Sequence, residues 1–430
     1  MLWASLAFLA VGQATAPTEL AAFVAKRDCT YGWSPLTAYV AHINGNTKHF
    51  RQWSLHSQTW RGIAWKHRIV MVEPESSVET KGVATLVITG GKLNDRDIEL
   101  AKSIADSGRM PVAVLFDIPN QPLFGLNEDE LIAYTFDKYI ASADSTWPLL
   151  FPMVKSAVRA MDAIEDASKG SENPISKFVV TGESKRGWTT WLTAATGDKR
   201  IIGIAPMVFD NLNIQAQMKH QLELWGHYSP MIEAYTKRDL QSKAETERGT
   251  KLVGMVDPFS YLGLLTMPKF IVNGANDPYW TVDALSLYWN ALPGQKSVLI
   301  VPNSGHDTGE QQDTMPTVGL FARSCAGGFA WPQPSAEWKD DSVTIHLGSP
   351  YGTDAGMWVA AAPNKDFADS KWTVQIVYLG SERQSNGTAR FPLQKVINPQ
   401  ACMIAVRYKL PDSVGGAEFT ICLPVKLRLK

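Results

Sequence analysis

The stretch VVTGESKRGW, residues 179–188, sets a serine between two glycines at the end of a β-branched run. Residues 178–181 read as a strand. Trp188, Trp191, Leu192 and Ala195 then recur as one face of a helix. Ser184 therefore belongs to a strand-to-helix turn, where its hydroxyl projects over the strand ends. Backbone N–H groups at the start of the helix would meet an oxyanion there. The nucleophile elbow of this type is G-x-S-x-G. Here Arg186 stands where the second small residue is expected, and Gly187 comes one position later. Read alone, Ser184 equally suits a helix N-cap or a solvated loop.

A serine nucleophile needs a base and an acid to orient that base. In this type of sheet the chain order is Ser, acid, His. Asp277 lies in GANDPYW after the strand 270–273, and His306 in PNSGHDTG after the strand 297–301. Both follow later strands of one parallel sheet, whose carboxyl edge is where ligands bind. His306 would take the Ser184 proton and Asp277 would fix the imidazole tautomer. Singly, each has a plainer role: Asp before Pro is a turn residue, and His in a Gly-rich loop is a surface residue. Asp210 is the reserve acid, and Asp307 a poorer one. The glycines of TLVITGGKLND, Gly90 and Gly91, follow another strand and would supply the second oxyanion donor, or merely a turn. The backbone N–H of Lys185 is the expected first donor. Its ammonium would meet an anionic substrate or simply stay solvated.

These groups need a sheet to hold them. Near-continuous apolar strands are expected at 38–44, 68–72, 84–89, 112–116, 178–181, 202–208, 270–273 and 297–301. Helical faces alternate with them. Met153, Ala157, Met161 and Ile164 make one, stopped by Gly170; Ile98, Ala101, Ile104 and Ala105 make another. The pattern predicts an α/β fold with a mostly parallel sheet. Residues 211–262 interrupt it with a long polar, helical stretch that reads as a cap over the strand ends, or as an ordinary crossover with an extra helix. After WPQPSAEW, residues 331–338, short alternating runs replace the helices. SVTIHL, MWVAAA, TVQIVYL, MIAVRYKL and FTICLPVKL predict an antiparallel β-sandwich over 335–430.

Bulk composition bounds the partners. The chain has 430 residues, is 45% hydrophobic and 19% charged, and carries a net charge of −1. No strong field favours nucleic acid. Its 15 tryptophans serve as core filler or line a cleft. Residues 2–11 are apolar and followed by small residues, too short to span a bilayer but suited to a secretory signal over 1–16. The alternative is a short buried helix. No later stretch reads as an integral membrane segment. Four cysteines, Cys29, Cys325, Cys402 and Cys422, permit two disulfides. Cys402 with Cys422 is the first pairing to test, against four buried thiols. No metal-ligand spacing occurs and no cofactor is implied. Asn386-Gly387-Thr388 is the one glycosylation sequon.

Taken together, the stretches at 57–74, 86–91, 145–164, 179–195, 257–280 and 302–307 resemble the PhoPQ-activated pathogenicity-related proteins, which include autocrine proliferation repressor-like proteins. That resemblance implies an α/β-hydrolase fold and a secreted or periplasmic location; with the cap read above at about 211–262, the hydrolase domain is expected over 17–332. It implies no defined reaction. The G-x-S-K-R-G stretch is also similar to G-x-S-R-x-G of glucuronoyl esterases, in which a cation after the serine helps the oxyanion site. By that likeness Lys185 gains interest. The expected function is a secreted serine hydrolase, esterase-like, acting on a small-molecule, glycan or peptide substrate. A prolyl-oligopeptidase-like peptidase and a signalling or binding protein with a silent site are the alternatives.

Overall fold

The computed structural model describes residues 18–43, 45–76, 82–311, 313–377, 388–392 and 400–427. The expected signal segment, 1–16, and the sequon asparagine, Asn386, lie outside them. The first strands are β1 (Gly32–Ile43), β2 (Asn46–Trp60), β3 (Ile63–Val72), β4 (Val83–Ile88) and β5 (Val112–Leu115). They are followed by β6 (Lys177–Glu183), β7 (Ile201–Met207), β8 (Lys269–Gly274) and β9 (Lys296–Val301). β10 (Ser335–Trp338), β11 (Ser342–His346), β12 (Gly352–Ala360) and β13 (Thr373–Val377) come next. The last are β14 (Thr388–Pro392), β15 (Ala401–Lys409), β16 (Glu418–Cys422) and β17 (Lys426–Leu427). The helices are α1 (Thr18–Ala25), α2 (Asp95–Gly108), α3 (Glu128–Ser142), α4 (Leu150–Ser168) and α5 (Lys185–Ala194). Four cap helices, α6 (Ile214–Trp225), α7 (Glu233–Thr236), α8 (Leu240–Lys243) and α9 (Glu247–Val256), precede α10 (Thr314–Cys325).

One large sheet runs in the order β1-β2-β3-β5-β4-β6-β7-β8-β9-β16-β15-β12-β13. β4 to β9 are mutually parallel, whereas β1, β2 and β3 pair antiparallel at one side. The order reverses between β4 and β6: β5 lies on one flank of β4, and all later parallel strands on the other. In an open α/β sheet such a switch point leaves a crevice at the carboxyl ends. Strand order and direction make this an α/β-hydrolase-like sheet.

Residues buried from both sides dominate the central strands; every side chain of β5 is buried. The two faces are covered by α2 with α10 and by α4 with α5. The apolar stripes foreseen on α2 and α4 point into this core, Ile98, Ile104, Met153 and Met161 being fully enclosed. Gly170, two residues past α4, adopts φ +85°, the left-handed turn that ends such a helix. Elements not foreseen include α1, α10, β10 and β14, and two that bear on the site, β2 and α3. β2 is fifteen residues long and reads as polar, because its alternate side chains face solvent. α3 follows a loop and carries three acids in its first turn, Glu128, Asp129 and Glu130.

Residues 211–262 fold largely into α6 to α9 between β7 and β8, and their side chains share a cavity with Ser184 and His306. Asp257 ties the two ends of the insertion together, accepting from Asn213 N and Ile214 N at 3.2 and 2.8 Å. Ionic contacts hold the cap on α3, Lys243 Nζ to Asp137 at 2.8 Å and Arg238 to Asp137 at 3.3 Å.

Beyond β9 the chain is strand-rich. β12, β13, β15 and β16 extend the large sheet, β16 meeting β9 antiparallel at Cys422 and Val298. β10, β11 and β14 form a separate three-stranded antiparallel sheet. The register opposes Cys422 to Ala405, three positions from Cys402, so no disulfide joins the pair suggested by adjacency. Their sulfurs instead donate to backbone carbonyls of Lys426 and Ile300. The loop after β12 returns to the crevice, where Asn276 Nδ2 donates to Phe367 O and Ser370 O at 2.8 and 2.6 Å.

Gly274 closes β8 against the next loop. A Cβ there would overlap Gly305 O and sit 2.5 Å from Ser304 O. We therefore expect Gly274→Ala to destabilise the fold by about 1–3 kcal/mol, as overpacking does. It should also displace the His306 loop. Thermal unfolding and the His306 imidazole NMR shifts would check both; an unchanged melting temperature would contradict the packing.

Candidate active site

Ser184 is the N-cap residue of α5, with φ 56° and ψ −122°. A positive φ at a non-glycine residue is strained and needs its surroundings to enforce it. Here they do. Ser184 N donates to Met207 O at 2.9 Å, and Trp188 N to Ser184 O at 3.0 Å. A Cβ at Gly187 would stand 2.5 Å from Met207 O, and one at Gly182 2.9 Å from Ile88 O. Both glycines are thus needed for the turn to fit. The Ser184 hydroxyl caps no helix N–H. Instead Oγ lies 2.8 Å from His306 Nε2.

His306 Nδ1 is 2.8 Å from Asp277 Oδ2. A carboxylate only accepts, so Nδ1 donates and Nε2 is left to accept from the serine. Asp277 is nearly fully buried, and its other oxygen accepts from Tyr279 N at 3.0 Å. The Tyr279 ring stacks on the imidazole with centroids 4.3 Å apart. The three residues thus converge from the ends of β6, β8 and β9. Of the reserve acids, Asp210 is buried and accepts from Tyr288 Oη at 2.5 Å, with burial pushing its carboxyl up to about 7. It makes no bond to His306. Asp307 faces the opposite cavity.

Gly90 and Arg186 explain each other. A Cβ on Gly90 would overlap the Arg186 guanidinium, which occupies the space a smaller elbow residue would leave. Arg186 donates twice to Glu128, at 2.8 and 2.6 Å, and through Nε to Ile118 O at 2.6 Å. The Arg-for-small departure from the elbow pattern is therefore accommodated by the loop after β4 and neutralised by α3. The Lys185 ammonium is likewise engaged, 2.9 Å from Asp129 and 3.4 Å from Glu128. Tyr235 of the cap donates to the same Asp129 at 2.9 Å. Sequence reading missed Glu128, Asp129 and Tyr279. Only the acidic start of α3 carried a signal, as a favourable helix N-terminus.

Ser184 and His306 border two cavities. One, about 520 Å³, lies under the cap and is walled by Trp188, Phe209, Met218, Ile232, Leu252 and Trp280 among others. The other, about 420 Å³, is bounded by Gly90, Gly91, Arg96, Asp97, Glu183 and Asp307. Gly90 and Gly91 thus share a cavity with the serine hydroxyl, as an oxyanion donor must. Burial raises the Glu183 carboxyl above its ordinary range, and its Oε1 has no partner among the described residues.

Burial pushes the Glu128 carboxyl up, but Arg186 outweighs it and holds the group at about 2, below its ordinary 4.5. A carboxyl depressed in the fold stabilises it above the unfolded value and stops doing so as pH falls through the folded one. We expect Arg186→Met to cost about 1–3 kcal/mol at neutral pH, because Glu128 loses its partner. That deficit should shrink as pH falls from 4.5 toward about 2. Denaturant titrations across that range would show it; a pH-independent deficit would contradict the pairing.

Among solved structures, an acetyl xylan esterase from a Thermoanaerobacterium species aligns with TM-score 0.48 and 12% identity, over 73% of this chain and 96% of that one. An acetyl xylan esterase from a Paenibacillus species aligns with TM-score 0.45 and 15% identity, over 69% and 91%. The autocrine proliferation repressor protein A of Dictyostelium discoideum is 30% identical over 346 residues, 75% of this chain and 67% of that protein. Residues 20–368 match the family described as PhoPQ-activated pathogenicity-related protein, a span that includes all three residues of the hydrogen-bonded chain and the cap. The chain belongs to that family.

Proposed function

We propose that the protein is a serine hydrolase, an esterase in preference to a peptidase, acting through an acyl-enzyme. The observation that carries this is the unbroken chain Ser184 Oγ, His306 Nε2 and Nδ1, Asp277 Oδ2, with both links at 2.8 Å. His306 accepts the serine proton as Oγ bonds to the substrate carbonyl carbon. The Lys185 N–H and a Gly90 or Gly91 N–H receive the oxyanion. The leaving oxygen then takes the proton from Nε2 as its bond to the acyl carbon breaks. Water repeats the attack and gives its proton to His306, and Nε2 returns that proton to Oγ as the ester bond to Oγ breaks and the acid leaves. The ion pairs of Lys185 with Asp129 and Glu128 leave its ammonium little free charge for an anionic substrate.

The finer organisation is part of the same proposal. The apolar run at 2–11 supports export, and among the described residues no helix is long and apolar enough to cross a membrane. The antiparallel strands that continue the large sheet beyond β9, with the separate sheet of β10, β11 and β14, support a C-terminal module of sandwich type, whose loop braces Asn276 beside Asp277.

Ser184→Ala should abolish ester hydrolysis with no change in melting temperature. Asp277→Asn should keep the geometry and lose about 10⁴ in kcat, because the imidazole tautomer is no longer fixed. The double variant should be little worse than Ser184→Ala, since the three residues act as a unit. Substantial hydrolysis by purified Ser184→Ala would overturn the mechanism.

A further inference from the structure

The two cavities beside Ser184 differ in kind, and this difference bears on the substrate if the hydrolase assignment holds. The cavity under the cap is walled by aromatic and aliphatic side chains from α5, α6 and α9. Trp188 and Phe209 stack there with centroids 4.8 Å apart. Its volume falls within the range of pockets that enclose a small ligand, roughly 300–1,000 Å³. The surrounding apolar surface gains most by covering an apolar group.

The second cavity is mixed, with Val87, Leu100, Ile104 and Met315 on its walls beside several acidic groups. Asp97, Glu128, Glu183 and Asp307 border it, against Arg96 and Arg186. Both arginines are paired, Arg96 in an exposed contact and Arg186 in a half-buried one. Arg96 is paired with Glu310, its Nε donating at 3.0 Å, and Arg186 with Glu128. The remaining carboxylates make this space hostile to a negative group and receptive to hydroxyl donors. Glu183 is the least satisfied of them. Its enclosed Oε1 rests against Gly309, where a Cβ would overlap it. That contact closes off Oε1, so a bound hydroxyl would meet the other carboxyl oxygen, which likewise has no hydrogen-bond partner among the described residues. His306 borders this cavity, so a leaving alcohol held here is within its reach for protonation.

We propose that the site takes esters joining an apolar acyl chain, seated under the cap, to an uncharged hydroxyl-bearing alcohol, seated against Glu183. The acyl cavity excludes water from the chain, and the acidic cavity rejects phosphorylated leaving groups.

The test uses the whole purified protein and a fluorophosphonate probe to count reactive Ser184. With wild type, kcat/KM for p-nitrophenyl esters should rise at least about tenfold from acetate to octanoate, since each buried methylene adds to binding. Met218→Trp narrows the apolar cavity and should lower the octanoate-to-acetate ratio by about tenfold. Glyceryl monooctanoate should be preferred to propyl octanoate, and its phosphate monoester rejected. Glu183→Ala should reduce the glyceryl preference by about tenfold, and Glu183→Gln should restore part of it. A flat or acetate-favouring profile in protein that labels fully at Ser184 would overturn the acyl assignment and leave the hydrolase standing. Equal use of glyceryl, propyl and phosphorylated esters would overturn the alcohol assignment. Absence of labelling would remove the hydrolase itself and this substrate with it.

Discussion

The contact between Ser184 Oγ and His306 Nε2 spans 122 residues of chain and depends on nearly every feature of the sheet. A hydrogen bond of this kind is lost with an error of about 1 Å, so three loops must be held to that tolerance. The fold meets the demand with backbone. Ser184 is fixed by the Met207 carbonyl from the neighbouring strand. The Asp277 and His306 loops are fixed by Gly274, whose missing side chain lets the Ser304 and Gly305 carbonyls close in. Asn276 N donating to Ser304 O at 2.9 Å locks them together. The strain of a positive φ at Ser184 is sustained because these neighbours leave the turn no alternative.

A second layer of control is ionic. Arg186 and Lys185 follow Ser184 directly, and both are neutralised by the first turn of α3. This keeps two cations close to the serine without making the site an anion trap. It also joins the cap to the elbow, because Asp129 receives both Lys185 and the cap residue Tyr235. Movement of the cap would therefore be felt beside the serine through one shared carboxylate.

Much of this was legible from residue order. The parallel strands announced themselves as apolar runs, and the loop residues after β6, β8 and β9 fell in the expected sequence. Residue order pointed to Asp277 and His306 but left Asp210 as a second acid; the hydrogen bond from His306 to Asp277 separates the two. Other parts were hidden for physical reasons. β2 alternates between core and solvent and lacks an apolar run. Arg186 looked like a flaw in the elbow and Gly90 like an oxyanion donor or a turn unrelated to it, because their fit is a three-dimensional complement. Adjacency of strands suggested a Cys402–Cys422 link that a three-residue register offset forbids. Glu183 gave no signal, since a lone acid beside a serine is indistinguishable from a solvated one until its neighbours are known.

The central claim is that Ser184 carries the acyl group. Wild-type protein mixed with p-nitrophenyl octanoate, quenched in acid within the first turnover and digested, should yield the peptide containing Ser184 with the mass of one octanoyl group added. The Ser184→Ala protein should yield none. Hydrolysis without an adduct on that peptide, or an adduct on another residue, would contradict the account.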